Sequence, residues 1–349
     1  MTAALGVALV VATFAYLLPT IANYGEVWET VRGLSWTWVL VLAAATALNV
    51  ATYAPPWMVA LPRLGFVRAL ELTQLSTAIS LVLPAGLAAG MASSAQLLRR
   101  WGYSRRQVAR GLTLVGVWNQ LLNLTYPIVA LFLLAASGAE TALLAPAAFV
   151  GAVVLGVAVA GLALVLASRR LAHDVGELAA RVVDRALSTV RRGPVSWGGA
   201  SFERFRVEAG DLLRRRWHAL TLASVAGSLT VFLVLLVALR ALDVTAGEVS
   251  VVEAFAAWSL VRVIASIPIT PGGIGVVELG LTTALVAFGG DNAGVVAAVL
   301  VYRFLTVTPT LAIGLVAAWT TRRYRGGPAD AAALNGGGSS SSSDASMRV

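Results

Sequence analysis

The sequence predicts an all-α, polytopic membrane protein, and three observations carry this prediction. Of its 349 residues, 58% are hydrophobic and only 12% are charged, which excludes an ordinary soluble domain. The apolar residues form runs that are long enough to cross a bilayer as helices, at about 20 residues each. Proline and glycine interrupt two of these runs, in residues 69–98 and 251–289. We predict about six full spans and two broken re-entrant hairpins of opposite orientation, as an inverted repeat would produce.

Cysteine and histidine usage restricts the chemistry that the chain can carry. The chain has no cysteine and hence no disulfide, thiolate nucleophile or cysteine metal site. Its two histidines, His173 and His218, lie in or beside a polar central segment, so no histidine metal site is expected within the membrane. We therefore predict neither a metal nor a cofactor.

The net charge of +9 comes from arginine alone and indicates topology. The arginines cluster at the ends of apolar runs, as they do in cytoplasmic loops that meet anionic headgroups. We therefore expect membrane lipids, and not nucleic acid, as partners. Arginine without lysine, together with abundant alanine, glycine and valine, is typical of a GC-rich genome and favours a bacterial cell membrane as the location.

The first two predicted spans are residues 2–22 and 36–60. The first lacks a basic start and a small-residue cleavage site, so we interpret it as a retained helix and not a signal peptide. The loop 23–35 has more acidic than basic residues and suits the outer side. Arg63 and Arg68 follow the second span and indicate its cytoplasmic end.

The first broken hairpin is predicted over residues 69–98, with its break at Pro84 and Gly86. The strongly basic run 99–106 follows it, and Arg68 precedes it, so both of its ends are basic. A single crossing would place one basic end outside the cell. A re-entrant hairpin that enters and leaves on the cytoplasmic side agrees better with the charge rule.

Two more spans, about 111–136 and 141–167, are joined by the nearly uncharged loop 137–140 on the outer side. The long polar segment 168–217 contains eleven arginines against six acidic residues, which predicts a cytoplasmic location. Part of it has apolar residues at helical spacing, so we expect one or two helices lying on the inner leaflet.

The last part of the chain contains a span at about 219–240, the second broken hairpin and a final span at about 293–320. The loops on both sides of this hairpin have few basic residues, which places its open end outside. Both termini are then cytoplasmic. Residues 326–349, which are rich in glycine and serine, are predicted to be a disordered tail, so that the transmembrane domain is 1–325.

The second break has the sequence I-P-I-T-P-G-G-I-G-V-V-E-L-G over residues 267–280. Prolines lack the N–H that a helix needs, and glycines allow turns that other residues cannot make. The residues concerned are Pro268, Pro271, Gly272, Gly273 and Gly275. A helix that starts after this break would direct free N–H groups and its positive dipole end toward the membrane midplane, which suits an anionic headgroup. Pro84 aligns with Pro271 and Gly86 with Gly273, which is consistent with a repeat.

Charged and amide side chains within the apolar runs are further candidates for substrate contact. Arg262 and Arg303 would add positive charge near the second break. Glu278 either forms an ion pair with Arg303 that joins two helices, or contacts the substrate. Three amides, Asn119, Gln120 and Asn123, share much of one helix face. They either line a polar path for a headgroup or join neighbouring helices.

The C-terminal motif resembles a known family. The run P-I-T-P-G-G-I-G-V-V-E-L-G, followed after a short turn by A-V-L-V-Y-R-F-L-T, is similar to the signature of the lysylphosphatidylglycerol synthase transmembrane-region, or flippase-like, family. The resemblance spans most of residues 1–325. The matching positions are Pro271, Gly272, Gly273, Gly275, Glu278 and Arg303.

This resemblance implies an integral membrane protein that moves or handles lipids. In multiple peptide resistance factor proteins a similar region is the flippase half, attached to an aminoacyl-transferase. No such domain lies within this sequence, so we do not expect synthase activity from it.

Two functions are compatible with these features. The first is a lipid flippase that moves an anionic lipid or lipid-linked headgroup through a groove between the hairpins. The alternative is an accessory membrane protein that binds lipid or docks a glycosyltransferase or lipid synthase on its arginine-rich cytoplasmic segment. We expect no enzyme, because the sequence shows no catalytic combination of acid, base and nucleophile in the membrane.

Overall fold

The computed structural model describes residues 32–83, 86–137, 199–266 and 271–323, together with isolated positions between 160 and 181. Every regular element in these ranges is helical, which confirms the predicted all-α class. The elements are α1 (Trp36–Thr52), α2 (Pro55–Ala60), α3 (Phe66–Val82), α4 (Gly86–Arg100), α5 (Arg105–Ala136), α6 (Gly199–Ala241), α7 (Val251–Ala265), a 3-10 turn (Pro271–Gly273), α8 (Val276–Ala287) and α9 (Asn292–Arg323).

Four helical stretches are long and apolar enough to cross a membrane. They are Trp36–Ala60, Arg105–Ala136, Arg216–Ala241 and Asn292–Trp319. Each corresponds to one of the predicted spans, which confirms a polytopic helical membrane protein. The two other predicted spans, 2–22 and nearly all of 141–167, lie outside the described residues, as does the predicted tail.

Helix α6 is longer than the sequence predicted. It runs for 43 residues from Gly199 to Ala241, so residues 199–217 continue the span and do not form a separate helix. At 1.5 Å per residue its length is about 65 Å, roughly twice the hydrocarbon thickness of a bilayer. The arginine-rich start of α6 therefore extends well beyond the apolar part. Most of the remaining predicted amphipathic segment, 168–198, lies outside the described residues.

Two helices begin at capping boxes, which explains where the chain turns back into the bundle. The Ser104 hydroxyl accepts from the Gln107 N–H at 3.2 Å, and the Gln107 side chain accepts from the Ser104 N–H at 2.9 Å. Ser250 and Glu253 repeat this arrangement at the start of α7. Each box satisfies backbone N–H groups that have no partner within the helix.

The first broken segment forms a hairpin in which α3 and α4 pack closely. Pro84 and Ala85 lie outside the described residues, and the chain continues at Gly86. A Cβ atom at Gly86 would overlap the Ser80 carbonyl oxygen, and one at Gly90 would overlap the Ser80 hydroxyl. The two helices therefore approach at a distance that only glycine permits.

We expect Gly90→Ala to destabilise the protein by about 1–3 kcal/mol, since an added methyl group would force the hairpin apart. Gly116 provides a matched control, because it also lies within a helix but has no atom within 4 Å of its Cβ position. Thermal unfolding in detergent should show a lower midpoint for Gly90→Ala and no lowering for Gly116→Ala. Equal midpoints for the two variants would contradict the close packing of α3 and α4.

The second broken segment also forms a hairpin, made by α7 and α8. Pro268 lies outside the described residues, and Pro271 begins the 3-10 turn between the two helices. Gly272, Gly273 and Gly275 have φ angles of +62°, +67° and +82°. Other residues rarely adopt such angles. These glycines are therefore required by the path of the backbone.

The two hairpins open toward opposite ends of the bundle. The open end of the first belongs to a buried cluster with the start of α5, formed by Ala54, Leu61, Leu64, Ala69, Leu72, Leu97, Leu98 and Val108. The far end of α5, at Ala130 and Leu134, packs against Ala256 of α7, close to the open end of the second hairpin. At 1.5 Å per residue, Val108 and Leu134 are roughly 40 Å apart along α5.

The tips of the hairpins meet between these ends. A Cβ atom at Gly272 would lie 2.6 Å from Leu81 Cδ2, so the second turn is in close contact with the end of α3. Each half of the described chain has the order span, hairpin, span. The packing is reciprocal, since α5 lies along α7 and α9 lies along α3. This is the arrangement that an inverted repeat predicts.

Candidate functional site

A cavity of about 310 Å³ lies where both halves of the bundle meet. Its walls come from the α1–α2 region, from both helices of the first hairpin, and from α5, α6 and the end of α7. Hydroxyl groups dominate the polar part of the lining: Thr52, Tyr53, Thr73, Ser76, Thr77, Ser80, Ser94, Ser224 and Ser228. Asn119 and Arg262 also line it. Among the described residues, Arg262 supplies the only charged side chain of the lining, and no carboxylate is present.

Arg262 is held in a fixed orientation at the last turn of α7. Its Nε donates to Asn123 Oδ1 at 2.6 Å, and its Nη2 lies 3.5 Å from the Ser228 hydroxyl. The guanidinium carbon lies 5.1 Å from the centroid of the Trp258 ring, within the range of a cation–π interaction. Within the described part of the chain, no carboxylate pairs with Arg262. The cavity therefore contains a positioned positive charge that an anion can neutralise.

The three predicted amides of α5 have different positions. Asn119 lines the cavity. Asn123 lies behind Arg262 and accepts its Nε–H, while its own amide donates to Gln120 Oε1 at 3.0 Å. Gln120 is exposed on the surface of the bundle. Asn123 therefore joins two helices, which is one of the two roles that the sequence left open, and contact of Asn119 with a headgroup stays a prediction.

Glu278 and Arg303 form a second polar cluster, at the tip of the second hairpin. Arg303 Nε donates to Glu278 Oε1 at 2.6 Å, and Arg303 Nη2 donates to the Gly272 carbonyl at 3.3 Å. The other carboxylate oxygen, Oε2, accepts from the Gly275 N–H at 2.7 Å. The ion pair that the sequence left as an alternative is therefore present, and it joins the tip to α9.

This cluster changes the expectation for the start of α8. At least one of the predicted free N–H groups already has a partner, because the Glu278 carboxylate accepts from the Gly275 N–H. The negative charge of this carboxylate also compensates the positive end of the helix dipole. None of Glu278, Arg303 or the glycines Gly272, Gly273 and Gly275 is among the residues that line the cavity. Their contact with a lipid stays a prediction.

The sequence contained a signal for the hydroxyl lining that the reasoning from charges missed. Thr73, Ser76, Thr77 and Ser80 have the spacing i, i+3, i+4 and i+7, which places them on one face of α3. Ser224 and Ser228 are likewise one turn apart on α6. A search for polar periodicity within apolar helices would have found both groups.

The comparisons with known proteins agree with this architecture. The family model described as Lysylphosphatidylglycerol synthase TM region matches residues 3–314, which include both hairpins, the first three spans described above and most of the fourth. No curated protein matches the chain significantly. Because the family match covers most of the chain, this protein belongs to the lysylphosphatidylglycerol synthase TM region family.

Proposed function

We propose that the protein moves an anionic lipid across the cell membrane. The headgroup passes through the cavity at Arg262, and the acyl chains remain in the surrounding lipid. The observation that supports this best is a cavity inside an apolar helical bundle whose lining, among the described residues, has many hydroxyl groups, one positioned arginine and no carboxylate. A charged side chain near the bilayer midplane costs about 2.5–3.5 kcal/mol on insertion scales, so an arginine retained near the tip of a hairpin calls for a function.

The hairpins give a physical route for alternating access. Both helices of the first hairpin line the cavity, and the second hairpin contributes Arg262 at the end of its first helix. In this proposal both hairpins are re-entrant, and the one that opens beside Arg63 and Arg68 opens to the cytoplasm, as do both termini. Rocking of one repeat against the other at the Leu81–Gly272 contact would expose the cavity to either leaflet.

A cavity-filling substitution tests this proposal in liposomes. Purified protein is reconstituted with labelled phosphatidylglycerol, and movement between leaflets is followed by reduction of the outer label. Gly116 lines the cavity and its Cβ position is open. We therefore expect Gly116→Phe to reduce the rate at least tenfold without unfolding the protein, since the ring would occupy the headgroup space.

Val129→Phe is the matched control, because Val129 lies on the same helix and is 41% exposed on the outside of the bundle. It should move lipid at the rate of the unsubstituted protein. Equal rates of lipid movement for folded Gly116→Phe and Val129→Phe would contradict passage of the headgroup through the cavity. If the unsubstituted protein moves no lipid, the transport proposal fails, and the accessory role with a docked synthase or glycosyltransferase becomes the better explanation.

A further inference from the structure

We propose that the headgroup carried is a phosphate linked to a small uncharged polyol or a single sugar, and that the cavity rejects headgroups with a cationic amine. This inference rests on the proposed function and specifies its substrate class. It follows from the charge of the lining, from the direction of its hydroxyl groups, from one unpartnered hydroxyl and from the volume.

The charge of the lining selects against amines. Arg262 is positive, and among the described residues no carboxylate lines the cavity to attract a second cation. Glu278, a buried carboxylate near the tip of the second hairpin, already has both oxygens in contact with Arg303 and the Gly275 N–H. A phosphate beside Arg262 would be neutralised by the guanidinium. An ammonium group in the same space would be repelled in a medium of low dielectric constant.

The hydroxyls of α3 offer acceptors to the cavity. Thr73 donates its proton to the Ala69 carbonyl at 3.0 Å, Ser76 to the Thr73 carbonyl at 3.1 Å, and Ser80 to the Ser76 carbonyl at 2.8 Å. With the proton used within the helix, each oxygen retains lone pairs that can accept a hydrogen bond. A face of hydroxyl acceptors suits a group that brings several O–H donors, such as glycerol or a sugar.

Ser224 gives independent support for a bound polar group. Its side chain is 3% exposed, it lines the cavity, and its Oγ has no hydrogen-bond partner in the described part of the chain. A buried hydroxyl without a partner is costly, and such groups are usually satisfied by protein, water or ligand. Ser224 lies one turn from Ser228, whose hydroxyl lies 3.5 Å from Arg262 Nη2, and all three residues line the cavity.

The volume of the cavity is suited to a small headgroup. About 310 Å³ is at the lower end of the range of about 300–1,000 Å³ for small-molecule sites. This space suits a glycerol phosphate or one sugar phosphate.

A panel of lipids with identical acyl chains tests the inference on the unsubstituted protein in liposomes. The panel contains phosphatidylglycerol, phosphatidic acid, phosphatidylethanolamine and lysyl-phosphatidylglycerol. We expect phosphatidylglycerol to move fastest and phosphatidic acid to move about tenfold more slowly, because it leaves the hydroxyl acceptors unpaired. The two lipids with amines should move no faster than in protein-free vesicles.

Movement of the amine lipids at the rate of phosphatidylglycerol would overturn the inference and leave the proposed function intact. Movement of no lipid at all would overturn both.

The double variant Thr77→Val/Ser224→Ala tests recognition of the polyol hydroxyls separately from recognition of the phosphate charge. It removes two hydroxyls of the lining with little change of volume, and it should lower the rate for phosphatidylglycerol about tenfold while leaving that for phosphatidic acid unchanged. Thr125→Val is the control, because Thr125 donates to its own helix at Leu121 and does not line the cavity. Equal loss for both lipids in the folded double variant would contradict recognition of the polyol.

Discussion

Arg262→Gln is expected to reduce the movement of phosphatidylglycerol in liposomes about 10- to 100-fold. The substitution removes the only positive charge of the cavity lining among the described residues. A hydrogen bond to a charged group contributes about 1.5–3 kcal/mol, and a loss of this size in the transport transition state corresponds to that range of rates. Glutamine retains an amide that can contact Asn123, so folding should be preserved. Rates are measured by the dithionite reduction of labelled lipid at equal protein density.

Two further variants test whether the loss of transport is specific to the charge and the orientation of Arg262. Arg68→Gln removes the same charge from an exposed position beside Trp101, outside the cavity, and should leave the rate nearly unchanged. Asn123→Leu leaves the Arg262 charge in place but removes the acceptor of its Nε–H. It should give an intermediate rate. A folded Arg262→Gln protein with the unsubstituted rate would exclude Arg262 from headgroup contact.

Arg303→Met is expected to destabilise the protein by about 3–5 kcal/mol, because it leaves the Glu278 carboxylate buried without its partner. Glu278 is 5% exposed, and its Oε1 lies 2.6 Å from Arg303 Nε. The double variant Glu278→Gln/Arg303→Met removes both charges and should recover much of the loss. Unfolding by denaturant in detergent micelles measures both variants. A single variant as stable as the unsubstituted protein would contradict a structural role for the pair.

The same double variant separates the two roles that the sequence left open for this pair. If Glu278 and Arg303 only fix the second hairpin to α9, the double variant should regain transport together with stability. If either residue contacts the lipid or couples transport to a gradient, the double variant should be stable but slow. Transport rates normalised to the folded fraction distinguish these outcomes.

Composition and local pattern were sufficient to predict the all-α class, the four spans that the structure describes and the positions of the two helix breaks. These features depend on local composition: apolar runs of bilayer length form helices, and proline or glycine ends them at defined positions. The three glycines of the second break have positive φ angles, so their identity alone indicated the turn. Arginine distribution indicated which ends lie together, since the open end of the first hairpin packs with the start of α5. Arg262, Glu278 and Arg303 were identifiable because charges are rare in apolar helices.

What these side chains contact depends on the packing of segments that are distant in the chain. Arg262 and Asn123 are 139 positions apart in the chain, and only helix packing brings them to 2.6 Å. The i, i+3 spacing of Gly275 and Glu278 permits the carboxylate to cap the start of α8, but only the packing of α9 against the hairpin brings Arg303 to the same carboxylate. The cavity combines short polar faces from both halves of the bundle, each of which could equally have faced a neighbouring helix. Local sequence specifies which segments are helical and where they break. The long-range packing of those segments determines which polar faces enclose a common space.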